Sequence, residues 1–96
     1  MRLITEKSVE KFLNNENFKM NNTEIVVLSD VTIFKLFNNA IAYKYKDNTL
    51  KITNCGYQTN TTKDRLNGLP NVNIKQKNGN WFLNGIEWNG ELTEIN

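Results

Sequence analysis

Apolar positions along this chain recur at two periods. Over residues 5–13 they lie three and four apart, so Val9, Phe12 and Leu13 share one side of a short amphipathic helix. Thr5 or Ser8 is placed to cap it, and Glu6 favours the positive end of its dipole. Asn14, Asn15 and Asn17 weaken the helix, and Phe18 with Met20 turns the exit towards the core. Beyond Glu24 the period falls to two. Residues 24–29, 31–37, 40–46 and 49–53 read as strands, separated by Ser29-Asp30, by an Asn38-Asn39 turn and by Asp47-Asn48. In the third of these, Ile41, Tyr43 and Tyr45 alternate with Ala42, Lys44 and Lys46; in the fourth, Leu50 and Ile52 oppose Thr49, Lys51 and Thr53. Such a succession of short alternating strands is an antiparallel meander.

Helical chemistry returns at residues 61–67. Thr61 with Asp64 three positions on resembles a capping box with Asp in place of Glu, and Gly68 and Pro70 stop the helix. Leu66 and Leu69 give it a narrow apolar stripe. Asn78-Gly79 between residues 72–77 and 80–83 is the strongest hairpin signal, and Asn84-Gly85 and Asn89-Gly90 repeat it around Ile86, Glu87 and Trp88. Trp81 and Phe82 are neighbours on one strand and therefore point to opposite faces, so one of them faces solvent, a partner or the N-terminal helix. The order is helix, three or four strands, helix, two or three strands. This predicts an α+β fold: a single domain over residues 1–96, with a mainly antiparallel sheet of about five to six strands and two short helices.

Composition narrows the chemistry. The chain has no histidine and one cysteine, Cys55, so the commonest general base, the commonest metal ligand and an internal disulfide are all absent. Cys55 is expected to be a buried or half-buried thiol rather than a nucleophile, because no imidazole can activate it. The carboxylates Asp64, Glu87, Glu91 and Glu94 are scattered and sit in polar contexts, and no phosphate-binding loop or nucleophile elbow is present. No catalytic residue, metal ligand or cofactor is therefore expected. No apolar run approaches the length of a membrane span, and the polar, acidic N-terminal segment lacks the apolar core of a signal peptide, so the expected location is the cytoplasm. Eighteen asparagines and ten lysines against two arginines match the codon bias of an AT-rich genome. Their dispersal suits turns better than an Asn-specific function.

Two kinds of binding remain. Lys44, Lys46 and Lys51 would share a strand face, which Lys63, Arg65, Lys75 and Lys77 extend, with Tyr43, Tyr45, Tyr57 and Trp81 available for stacking on nucleic acid. A net charge of +2 and only two arginines argue against strong phosphate clamping, and Tyr43 and Tyr45 lie on the side of Ile41, which points to the core. A β-rich domain of this size can instead offer a strand edge or an aromatic cluster to another protein.

The segment Gly56-Tyr57-Gln58-Thr59-Asn60-Thr61-Thr62-Lys63-Asp64-Arg65-Leu66-Asn67, followed by Gln76-Lys77-Asn78-Gly79-Asn80-Trp81-Phe82, resembles a group of small bacteriophage proteins. In that group a Gly-aromatic strand end leads into Thr-Thr-Lys-x-Arg-Leu-Asn and then a Gln-Lys-x-Gly-x-Trp hairpin. The resemblance covers about a third of the chain and implies a viral origin without an activity. Where the helix start meets the hairpin, Thr61, Thr62, Lys63, Arg65, Asn67, Gln76, Lys77 and Trp81 form the candidate site. Free helix N–H groups beside Lys63 and Arg65 would suit a phosphate or an acidic side chain. The expectation is a non-enzymatic phage accessory protein in the host cytoplasm, binding a host or viral protein, with a nucleic-acid-binding module as the alternative.

Overall fold

The structure, a computed structural model, describes residues 2–95. Helix α1 (Leu3–Leu13) opens it, followed by strands β1 (Phe18–Met20), β2 (Thr23–Val27), β3 (Val31–Leu36), β4 (Asn39–Tyr45) and β5 (Leu50–Ile52). Helix α2 (Asn60–Asn67) comes next, then β6 (Ile74–Lys77), β7 (Asn80–Leu83), β8 (Ile86–Glu87) and β9 (Thr93–Ile95). The α+β expectation holds, with the strands divided between two sheets. One has six strands in the order β1-β2-β3-β4-β5-β9; the other has three in the order β6-β7-β8. Every pairing is antiparallel.

The inner face of the large sheet carries Ile25, Phe34, Ala42 and Ile52. Onto it pack Val9 and Phe12 from α1, Leu66 and Leu69 around α2, and Ile74, Trp81 and Leu83 from the small sheet. Phe12 meets Phe34 edge-on, with ring centroids 5.5 Å apart. Both helices and the small sheet thus bury one face of the large sheet, as an antiparallel sheet allows. No helix among the described residues is long and apolar enough to cross a membrane.

Local rules failed in four places, each for a physical reason. Neither Thr5 nor Ser8 caps α1: both are buried inside it, and Ser8 Oγ bonds back to the Ile4 carbonyl at 2.7 Å. Helix α2 is capped by Thr59, whose Oγ1 accepts from the Thr62 amide at 3.1 Å, so the Thr61–Asp64 box does not form. Asp64 is engaged elsewhere, accepting a hydrogen bond from the Thr5 hydroxyl. Short strands form at Phe18–Met20 and Thr93–Ile95, at the two edges of the large sheet, where neighbouring strands rather than local pattern recruit them.

The fourth is the β3–β4 turn. The register pairs Leu36 with Asn39, so the turn is Phe37-Asn38 and not Asn38-Asn39. Both central residues have positive φ, +50° at Phe37 and +65° at Asn38, as a primed two-residue turn requires. Further along, Phe34 pairs with Ala42 and Lys35 with Ala40, leaving Ile41 as the extra residue of a bulge. The bulge moves Ile41 to the inner face beside Ala42, and both are buried. Tyr43 and Tyr45 are left on the outer face.

Candidate functional site

The residues singled out in the sequence meet, but mostly as structure. Lys63 Nζ donates to Gln76 Oε1 at 3.1 Å, so the helix start and the hairpin do touch. Thr61 accepts from Arg2 at 3.3 Å. Lys77 and Gln76 are exposed on β6. Arg65, by contrast, is 2% exposed. Its Nε donates to Thr23 Oγ1 at 3.2 Å and its Nη1 to Thr5 Oγ1 at 2.7 Å, with Asp64 Oδ2 at 3.5 Å. Burial pulls the Arg65 pKa below its ordinary value, Asp64 offsets part of that, and Arg2 adds to the lowering. The guanidinium is a rivet joining α2 to α1 and β2, so it has no free face for a phosphate.

Asn67 is equally occupied. Its Oδ1 accepts from the Ile74 amide at 2.6 Å and its Nδ2 donates to the Ile74 carbonyl at 3.0 Å, stitching α2 to β6 like a missing strand residue. Thr62 is buried behind the Thr59 cap. Trp81 is 1% exposed and stacks on Trp88 with centroids 6.3 Å apart, while Phe82, facing the other way, is only half-buried. The candidate cluster therefore separates into a core part (Thr62, Arg65, Asn67, Trp81) and a surface part (Thr61, Lys63, Gln76, Lys77).

The lysine face also changes. Tyr43 pairs with Lys51 and Lys44 with Leu50, so Lys51 shares the outer face with the tyrosines and Lys44 lies opposite. A cross-strand row runs Val26, Ile33, Tyr43, Lys51, Glu94 on that face. Tyr43 and Tyr45 stack at 6.3 Å with 18° between planes, and Lys51 Nζ lies 5.4 Å from the Tyr45 ring centroid.

A different place has the features of a binding site. A groove of about 330 Å³ runs between the β3–β4 turn and the loop before α2, lined by Leu36, Phe37, Asn39, Ile41, Asn54, Tyr57, Thr59 and Thr62. Phe37 is 64% exposed and Tyr57 56% exposed, whereas Leu36 and Ile41 on the floor are buried. None of the lining residues is charged. A cleft of about 480 Å³ lined by Gln58 of the same loop and by Asn80, Glu87 and Glu91 is a polar surface by comparison.

Both walls are held rigidly. The Phe37 amide donates to the Asn22 carbonyl at 2.8 Å. A bulky residue at φ +50° is strained by roughly 1–2 kcal/mol. On the other wall, Thr53 Oγ1 donates to the Gly90 carbonyl at 2.6 Å and accepts from the Cys55 amide at 3.1 Å. Asn54 Oδ1 accepts from the Gly56 amide at 2.8 Å, and the Tyr57 amide donates to the Asn54 carbonyl at 2.9 Å. Gly90, at φ +91°, lies so close to the Asn54 amide that a Cβ there would collide with it. Cys55 is half-buried as expected, its Sγ donating to the Ala40 carbonyl at 2.9 Å, and burial pushes its pKa up, away from thiolate chemistry.

Phe37 and Asn54 carry no motif, and sequence reasoning passed over both. The available signal was Phe37 itself, a large apolar residue immediately before Asn38-Asn39, inside the run of residues that had to turn.

No curated protein matches the chain, and no solved structure matches it. A family model described as Kyanoviridae Gp96 protein matches residues 1–94, nearly the whole chain and well beyond the segment that resembles phage proteins. The chain belongs to that family of bacteriophage proteins.

Proposed function

We propose that this phage protein acts without catalysis, in the host cytoplasm, by binding a host or viral protein through the groove between Phe37 and Tyr57. The observation that carries this reading is a pair of aromatic side chains, each more than half exposed, flanking an apolar floor. Aromatics in such pockets dominate the energetics of protein interfaces, because they bury large area with few rotamers to fix. Walls already fixed by backbone hydrogen bonds lower the entropy lost on binding. Strain at an exposed bulky residue supports a functional role, since packing alone gives no reason to keep phenylalanine in a left-handed turn.

The test is capture of partners from phage-infected cells on tagged protein, comparing wild type with Tyr57→Ala. Tyr57 is exposed, so its removal should alter stability by no more than about 0.5 kcal/mol. A partner enriched by wild type should be lost or weakened at least about tenfold with Tyr57→Ala. Equal retention of every partner by both proteins would refute the assignment to this groove.

A second reading rests on the outer sheet face, where Tyr43, Tyr45 and Lys51 stand together as a stacking surface beside a cation. Single-stranded nucleic acid binds such surfaces. Glu94 in the same row opposes it. A gel shift with single-stranded and double-stranded DNA and RNA at low and moderate salt decides the matter: the protein-binding reading expects no retardation. Retardation abolished by Tyr43→Ala would establish the nucleic-acid reading.

A further inference from the structure

Four of the five glycines follow an asparagine: Asn67-Gly68, Asn78-Gly79, Asn84-Gly85 and Asn89-Gly90. In such a pair the glycine nitrogen is one ring closure away from the asparagine Cγ, and glycine has no side chain to shield it. Three of the pairs are held against that closure. Asn67 has both amide atoms bonded to Ile74, the Gly68 amide donates to the Arg65 carbonyl at 3.1 Å, and the side chains of Thr5 and Val9 crowd Gly68. Asn84 Oδ1 accepts from the Asn73 amide at 2.9 Å, while its Nδ2 donates to the Asn71 carbonyl at 3.0 Å. Asn89 Oδ1 accepts from the Glu91 amide at 3.0 Å, and Gly90 is buried against the Asn54 side chain. Each side-chain bond has to break before the ring can close, which slows closure by about two- to tenfold per bond.

Asn78-Gly79 has none of these restraints. It is the exposed tip of the β6–β7 hairpin, and the space around Gly79 is open. Neither side-chain amide atom of Asn78 makes a hydrogen bond among the described residues, unlike those of Asn67, Asn84 and Asn89. We propose that Asn78 is a self-modification site of the folded protein, converted to aspartate and isoaspartate by its own backbone and water. Hydroxide takes the proton of the Gly79 amide, and that nitrogen attacks Asn78 Cγ. The new C–N bond closes a cyclic imide as the Cγ–Nδ2 bond breaks, and Nδ2 leaves with a proton from water as ammonia. Water then adds to either imide carbonyl and cleaves its bond to nitrogen; no electrons are gained or lost. Either product puts a carboxylate beside Lys77 and lowers the net charge by one from +2. Aspartate keeps the hairpin, because Asp-Gly suits the same primed turn. Isoaspartate carries the main chain through its Cβ, which lengthens the two-residue turn that sets Lys77 opposite Asn80.

The experiment incubates the full chain in warm, mildly alkaline buffer, folded in one sample and unfolded by guanidinium chloride in another. Digestion in weakly acidic buffer stops the reaction, and fragment mass spectra then follow each of the four asparagines over time. In the folded chain Asn78 should react first, at least about twofold faster than Asn89 and fourfold faster than Asn67 and Asn84. Its rate should rise with pH in proportion to hydroxide, and isoaspartate should be among its products. In guanidinium chloride the lead of Asn78 should vanish, because the same dipeptide is then unrestrained at all four places. No reaction at Asn78 in the folded chain, or equal rates at all four sites there, would overturn the assignment. The same lead in guanidinium chloride would also overturn it, by giving the selectivity to the flanking sequence and not to the fold. Aspartate without isoaspartate at position 78 would overturn the imide step.

Discussion

Arg65→Ala should destabilise the fold by about 3–5 kcal/mol, read as a lowered urea midpoint with an unchanged slope. The side chain is nearly as inaccessible as Phe12, and its removal leaves a cavity between α1, α2 and β2. It also removes the donors that Thr23 and Thr5 accept from, and leaves Asp64 without its cationic neighbour. In a domain of this size the whole stability is on the order of 5–15 kcal/mol, so a large fraction would be lost. Arg65→Lys should recover only part of it, because an ammonium cannot reach Thr23, Thr5 and Asn22 with one planar fork. If Arg65 were instead a surface anion ligand, Arg65→Ala would leave the urea midpoint within about 0.5 kcal/mol of wild type.

Trp81→Ala should cost about 3–5 kcal/mol by the same measurement. Trp81 is the largest side chain of the fully buried set, it joins the small sheet to the main core, and it stacks on Trp88. Its Nε1 has no hydrogen-bond partner among the described residues, so Trp81→Phe sacrifices volume without breaking a hydrogen bond. That variant should cost only about 1–2 kcal/mol. Near-equal losses for phenylalanine and alanine would mean that the indole N–H, and not the ring's bulk, holds the site together.

The elements were legible where local pattern and tertiary demand agreed. Alternation marked β2 to β5, Asn78-Gly79 fixed the β6–β7 hairpin with Lys77 opposite Asn80, and Leu66 and Leu69 were both buried as the stripe implied. The opposite facing of Trp81 and Phe82 followed from strand geometry alone. What sequence could not show was the Phe37-Asn38 turn and the bulge at Ile41. Asn38-Asn39 has better turn chemistry, and a slip of one residue exchanges the faces of a strand. That slip puts Phe37 at the surface, and the bulge separates Ile41 from the tyrosines. Arg65 and Asn67 were misread for a related reason: polar side chains between two helices and a hairpin look like ligand-binding groups until their partners are seen to come from Thr5, Thr23 and Ile74. Asn54 had no signature at all, since its burial depends on Gly90, 36 positions later.

Measuring the melting temperature and the partner retention of Phe37→Asn on a single preparation tests most directly whether the exposed ring is kept for binding. Asparagine tolerates the left-handed turn, so relief of strain should leave the protein equally stable or more stable by up to about 1 kcal/mol, while the captured partner is lost. A lowered melting temperature together with an undiminished partner would contradict the account, making Phe37 a structural residue and the groove a bystander.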